Sequence, residues 1–264
     1  MTETIARFLP ENFPWKDRII CFDTIDSTNT AAKAMALQGA PQGTAVIADT
    51  QTGGRGRLGR SFHSPGGKGV YLSLILRPRC SAEALMHLTC AVGCAMCDAV
   101  EAVTGIRPGI KWINDLVCGK RKLGGILVEL GFAPGGTVDY AVIGVGINCL
   151  QKAGEFPPEL TATSLLQETG KAVSREALIA AMLVALEKMS RELLTQQEAI
   201  LACYRSDCVT IGKEVSLQKG DEVRHGIATG VDAQGALLVR FPDGHTEAIA
   251  MGEVSVRGMY GYVP

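Results

Sequence analysis

The sequence predicts an α+β protein, a large mixed-sheet domain over residues 1–211 followed by a small all-β domain over 212–264. Two observations carry this. Apolar strand-like runs alternate with helix-period segments up to about Gly212, and beyond it the chain changes to short alternating strands with Lys-Gly, Gln-Gly and Asp-Gly turns. A third, the 264-residue length with 47% hydrophobic residues, allows one substantial core and a smaller companion.

From the N-terminus, residues 1–20 carry Pro10 and Pro14, which interrupt any helix, so they lead into the domain. Ile19 to Phe22 reads as the first strand. Asp26, Ser27, Thr28 and Asn29 then stand at the start of a helix through Leu37 that Gly39 stops. One side chain is enough to cap a helix, so surplus hydroxyls and an amide here suit a small polar ligand as well as capping. Gly43 to Asp49 is a buried strand, with Gln51 after it. Val70 to Leu76 is another, and a helix opened by Ser81 and Glu83 runs to about Val103. Ile110 to Leu116 reads as a short strand whose Lys111, Asn114 and Asp115, beside Trp112, are residues a core strand would not choose, which suggests a site wall. Gly119 to Lys122 is a tight turn, Leu123 to Leu130 the returning strand, and Tyr140 to Asn148 a buried strand in which Gly144 and Gly146 mark close approach of a backbone or ligand. Ser174 opens the longest helix, to about Tyr204. The strands after Gly212 suggest a small barrel of the SH3-like sort.

The stretch Gln51 to Arg60 holds three arginines and four glycines in ten residues, a composition suited to seating an anion. Gly54, Gly56 and Gly59 spell a dinucleotide fingerprint, and Gly54 to Ser61 a phosphate loop with Arg60 for lysine. Both templates require a helix directly after the glycines, and an irregular run followed by a strand stands there instead. Side chains and a folded loop would therefore hold a phosphate here.

Charge excludes other classes. With 26 basic and 27 acidic residues the net charge is −1, so no global field holds the chain on nucleic acid or an anionic membrane. The nine cysteines are odd in number and poorly spaced for zinc or disulfides. Cys90, Cys94 and Cys97 fall on one helix face as small core residues. No signal peptide and no apolar run near the ~20 residues of a membrane span are expected, which fits a cytoplasmic protein.

Read together, Asp26-Ser27-Thr28-Asn29, Gln51 with Gly54 to Arg60, Ser64-Pro65 before Tyr71-Leu-Ser, Lys111 to Leu116, Lys122-Leu-Gly-Gly-Ile-Leu and Gly144-Val-Gly-Ile-Asn148 resemble the biotin protein ligases, in the family's order and along almost the whole chain. Ile113 stands where that family often has proline. The resemblance implies a class II synthetase-like catalytic domain and an AMP-forming reaction, in which biotin and ATP with Mg²⁺ give biotinyl-5′-adenylate and the biotinyl group then passes to a lysine of a biotin carboxyl carrier domain. It implies that Lys122, Arg57, Lys111 and Asp115 are catalytic, with no protein metal ligand assigned. Ser27, Thr28, Asn29, Gln51, Arg55, Arg57 and Lys122 would hold biotin, and Arg55, Arg57, Trp112, Asn114, Lys122, Asn148 and Arg257 would hold ATP, with Arg257 reaching back from the small domain. Bifunctional members begin with a helix-turn-helix domain, and only about twenty residues precede the first strand here. The expected partner is thus the carrier domain, without DNA or membrane, and the expected state a monomer or homodimer. A lipoate or octanoate ligase would want a purely apolar acyl slot, and a non-catalytic adenylate sensor would not need Arg55, Arg57, Lys111 and Lys122.

Overall fold

A computed structural model describes residues 1–219, 222–250 and 253–260. Among these, a seven-stranded mixed sheet runs in the order β1 (Ile19–Ile25), β2 (Ala45–Gln51), β3 (Gly69–Leu76), β7 (Val138–Asn148), β6 (Arg121–Phe132), β5 (Asp115–Cys118) and β4 (Gly109–Lys111). Only the β1–β2 pair is parallel, as the intervening helix α2 (Thr28–Leu37) requires, and the other neighbours are antiparallel.

The period-two alternation of the central strands decides where a cavity can form. In β7, Ala141, Ile143, Val145 and Ile147 face the main core beneath α3 (Leu88–Thr104) and α5 (Arg175–Glu192), as do Val70, Leu72, Leu74 and Leu76 of β3. The opposite face of β7 carries Tyr140 and Val142, packed on α2 with Ala32, Ala36 and Ile75. Further along that face come Gly144, Gly146 and Asn148, so the apolar layer gives way to bare backbone and then to an amide. An added Cβ at Gly144 would strike the Asn29 side chain, and one at Gly146 the Phe62 ring.

Several expected elements change. Residues Thr2–Ala6 form a short helix, α1, ahead of Pro10, because only the following residues are proline-restricted. Ile110–Leu116 is a hairpin of β4 and β5 instead of one strand, its polar residues standing in the turn and at the paired ends Lys111 and Asp115. The helix expected from Ser81 begins as a 3₁₀ turn, Glu83–Leu85, and continues as α3, ended by Gly105 in the left-handed conformation. By length and composition Glu83–Thr104 could cross a membrane, contrary to the expectation that no segment could, but its apolar surface is the hub of the core against α5 and α6 (Gln197–Asp207). The helix expected from Ser174 to Tyr204 is two, α5 and α6, parted at Leu193–Gln196, where the buried Leu193 gives its carbonyl to the His87 ring. A short helix, α4 (Leu165–Thr169), capped by Ser164, was not foreseen.

After α6 comes a five-stranded antiparallel sheet, β11 (Thr246–Ile249), β10 (Leu237–Arg240), β9 (Glu222–Val231), β8 (Glu214–Lys219) and β12 (Glu253–Val256) in spatial order. Of the Lys-Gly turn expected at 219–220, Gly220 lies outside the described residues. Hydrogen bonds seat this sheet on the first, among them Trp112 Nε1 donating to the Gly235 carbonyl at 3.0 Å and Lys111 Nζ to the Tyr260 carbonyl at 2.9 Å.

Candidate functional site

A cavity of 470 Å³ opens on the glycine face of the sheet, lined from β6 and β7, the start of α2, the loop after β2, the β4–β5 hairpin and Tyr260. Its polar end is built at the α2 N-terminus. Ser27 caps the helix by accepting from Thr30 N. Gln51 Oε1 accepts from both the amide and the hydroxyl of Thr28, while Gln51 Nε2 donates to Ser64 Oγ at 2.9 Å. Ser73, a lone polar residue in the otherwise apolar β3, donates to Asn29 Oδ1 at 2.6 Å, and Asn29 Nδ2 donates to Glu129 Oε2 at 3.0 Å. Ser27, Thr28 and Asn29 are all buried, so their orientations are fixed by this network.

The Gly/Arg loop folds back on itself through an isolated bridge between Arg55 and Ser61, with Gly56 N donating to Arg60 O at 2.7 Å. Arg57–Gly59 makes one 3₁₀ turn in which Leu58 takes a left-handed φ of 55°, and no α-helix follows before β3. The loop therefore fits neither the dinucleotide fingerprint nor the phosphate-loop template. Arg55 pairs with both oxygens of Glu129, and Arg57 Nη1 donates to Asn114 Oδ1 at 3.1 Å. Partial burial lowers the Arg57 guanidinium from its ordinary value, with Asp115 opposing that shift; the group stays protonated at physiological pH.

The third wall is the hairpin. Lys122 Nζ donates to Asp115 Oδ1 at 2.7 Å, and Tyr260 Oη donates to Asp115 Oδ2 at the same distance. Lys111 is buried, 6% exposed, with its ammonium 3.8 Å over the Tyr260 ring. Desolvation pushes Lys111 down to about 8, against the pull of Asp115. Asn114 Nδ2 donates to Ile126 O, and Asn148 Nδ2 to Thr163 O, each at 3.0 Å.

Every expected site residue but one thus borders this cavity. Arg257 is the exception: it pairs with Glu214 and is not among the described lining residues, the small domain being represented there by Val254 and Tyr260. Sequence reading missed Glu129 and Tyr260. A carboxylate in the apolar run Leu123–Leu130 was a usable signal for the first; nothing local announced the second. Among the described lining residues are five cations, Arg55, Arg57, Arg60, Lys111 and Lys122, and two carboxylates, Asp115 and Glu159, with Glu129 pairing Arg55 from outside the lining. Such a wall suits a polyanion, and the amide-and-hydroxyl end suits a neutral polar group.

The chain belongs to the biotin/lipoate A/B protein ligase family, whose model matches residues 21–148, and residues 210–257 match the biotin protein ligase C-terminal domain. It is 36% identical to the bifunctional ligase/repressor BirA of Bacillus spizizenii, over 92% of this chain and 76% of that one. With the biotin–[acetyl-CoA-carboxylase] ligase of Paracoccus denitrificans it shares 34% identity, over 88% and 98% of the two chains. The structure of the Aquifex aeolicus biotin protein ligase in complex with biotin and ATP superposes with a TM-score of 0.78 at 31% identity, covering 91% and 98%.

Proposed function

We propose that this cavity makes biotinyl-5′-adenylate from biotin and ATP and presents it to a lysine of a biotin carboxyl carrier domain. An excess of cations among the described lining residues, five against Asp115 and Glu159 with Arg55 held by Glu129, beside a buried hydroxyl-and-amide end, is the observation that carries the reading. Ser27, Thr28, Asn29 and Gln51 bind the ureido ring, which both donates and accepts hydrogen bonds. The glycines at 144 and 146 let Asn29 and Phe62 lie close against the sheet beside the bicycle and its chain. Arg55, Arg57 and Lys122 lie along the triphosphate, while Trp112, Asn114 and Asn148 border the nucleotide.

In the first step a biotin carboxylate oxygen attacks the α-phosphorus and the bond to pyrophosphate breaks. Two anions must meet, so Lys122 and Arg57 offset their repulsion and stabilise charge growing on the phosphoryl oxygens. In the second, the carrier lysine's amine attacks the acyl carbon and AMP leaves. Lys111 and Asp115 position the phosphate and the incoming amine. The two carboxylates among the described lining residues suit Mg²⁺ held chiefly by nucleotide phosphates. When bound, it would neutralise part of the triphosphate charge. The division after residue 211 is part of this reading, supported by the two separate sheets and by the match beginning at 210.

Incubation with radiolabelled biotin, ATP and a purified carrier domain tests it. Label should move to one carrier lysine with AMP and pyrophosphate formed in equal amounts. Absence of any biotin-dependent pyrophosphate release would overturn the assignment.

A further inference from the structure

On the far side of the core, where α3 meets α6, two thiols face each other. Cys94 is buried on α3, and Cys203 lies half-buried on α6; their sulfurs are within 4.8 Å. Arg107 reaches the same spot. Its Nε and Nη2 hold Asp207 at 2.8 and 2.6 Å, and Nη2 also donates to Cys203 Sγ at 3.5 Å. The Asp207 carboxylate is 3.7 Å from that sulfur.

We propose that Cys203 and Cys94 are a hydroperoxide-reactive thiol pair that closes to a disulfide between α3 and α6. The two cysteines divide the roles by their surroundings. Cys203 is reachable from solvent and has beside it the Arg107 guanidinium, shared with Asp207, Asp98 and Glu101, whereas Cys94 is buried and its thiol donates to the Ile200 carbonyl at 3.6 Å. Cys203 is thus the nucleophile and Cys94 the resolving thiol. The Cys203 thiolate attacks a hydroperoxide oxygen, the O–O bond breaks, and with one proton taken up an alcohol or water departs, leaving a sulfenic acid. Cys94 sulfur then attacks the sulfenic sulfur; its proton leaves with the hydroxide as water. Two thiols are oxidised and one hydroperoxide is reduced.

A bound metal is a weaker reading of the same atoms, although Cys94, Cys203 and Asp207 could supply three ligands. The bidentate Arg107 guanidinium already sets a positive charge on Asp207, and a divalent cation would have to displace it. The disulfide requires no such exchange. It would also reach the catalytic face, because Tyr204, next to Cys203, donates through its hydroxyl to Ile113 O at 3.2 Å, inside the β4–β5 hairpin.

The test uses the full reduced chain, treated with a small excess of hydrogen peroxide, alkylated, and digested without reductant for mass spectrometry. A linked Cys94–Cys203 peptide should appear while circular dichroism stays unchanged, with Cys203 consumed roughly tenfold faster than the half-buried Cys21, Cys80 and Cys118. In Cys94→Ser the sulfenic acid should persist on Cys203 and be trapped by dimedone. Recovery of both thiols in alkylated form from the wild-type chain, or cross-linking of Cys203 to a different cysteine, would overturn the proposal whatever the variant does.

Discussion

At the scale of single residues, Lys122 and Lys111 make different predictions although both are cations of one wall. Lys122 pairs with Asp115 and stays partly open to the cavity, so its ammonium can turn to a phosphate without unfolding anything. Lys122→Ala should slow biotin-dependent pyrophosphate release about a hundredfold, the effect of losing one contact worth ~3 kcal/mol in the transition state, with an unchanged melting temperature; near-normal release would remove Lys122 from the chemistry. Lys111 is desolvated, and its proton leaves near pH 8 instead of in the usual lysine range. A lysine with a depressed value binds fewer protons folded than unfolded between that pH and about 10.5, so its contribution to stability rises with pH across the window while its use as a cation falls. The kcat/KM for ATP should therefore decline above about pH 8, with the inflection moved upward in Lys111→Arg. A profile identical in the two proteins would assign the decline to another group.

Among elements, the Gly/Arg loop was the most legible and the β4–β5 hairpin the least. The loop's glycines and arginines lie within ten residues, and the absence of a following helical pattern could be read directly. Its fastenings could not be read that way, because Arg55 meets Glu129 across 74 positions and Arg57 meets Asn114 across 57. The hairpin looked like one strand because Ile110 to Leu116 is too short for period two to separate two arms from one. The long C-terminal helix was overextended for a related reason: Leu193 to Gln196 contain no glycine or proline, and the break follows from packing α5 and α6 separately on α3. Once both latches are known, Arg57→Gly has a specific expectation. It frees Asn114, removes a cation and leaves the exposed tip at Leu58 less tied down. Activated biotin should escape and label lysines of a bystander protein, measurable by streptavidin blot, and loop proteolysis in the wild type should slow when biotin and ATP are both present. Equal cleavage with and without them would mean that the loop does not close on its ligand.

For the whole molecule, side-chain hydrogen bonds from Lys111, Trp112 and Asp115 tie the five-stranded sheet to the catalytic wall. Trp112 illustrates this, since its ring is buried and its indole N–H ends on Gly235 O. Trp112→Phe keeps most of the packing and strands that carbonyl, so a loss of about 1–3 kcal/mol is expected in chemical denaturation of the full chain; an unchanged midpoint would show the contact to be dispensable. The floor of the cavity has a different consequence. Gly144 and Gly146 make the site by what they lack, and every other amino acid adds a Cβ that meets Asn29 or Phe62. The cationic wall loses function by degrees as its members are removed one at a time, whereas the floor admits no intermediate forms. Mutational tolerance around this pocket is therefore divided: graded where side chains reach in, and all-or-none where the backbone lies bare.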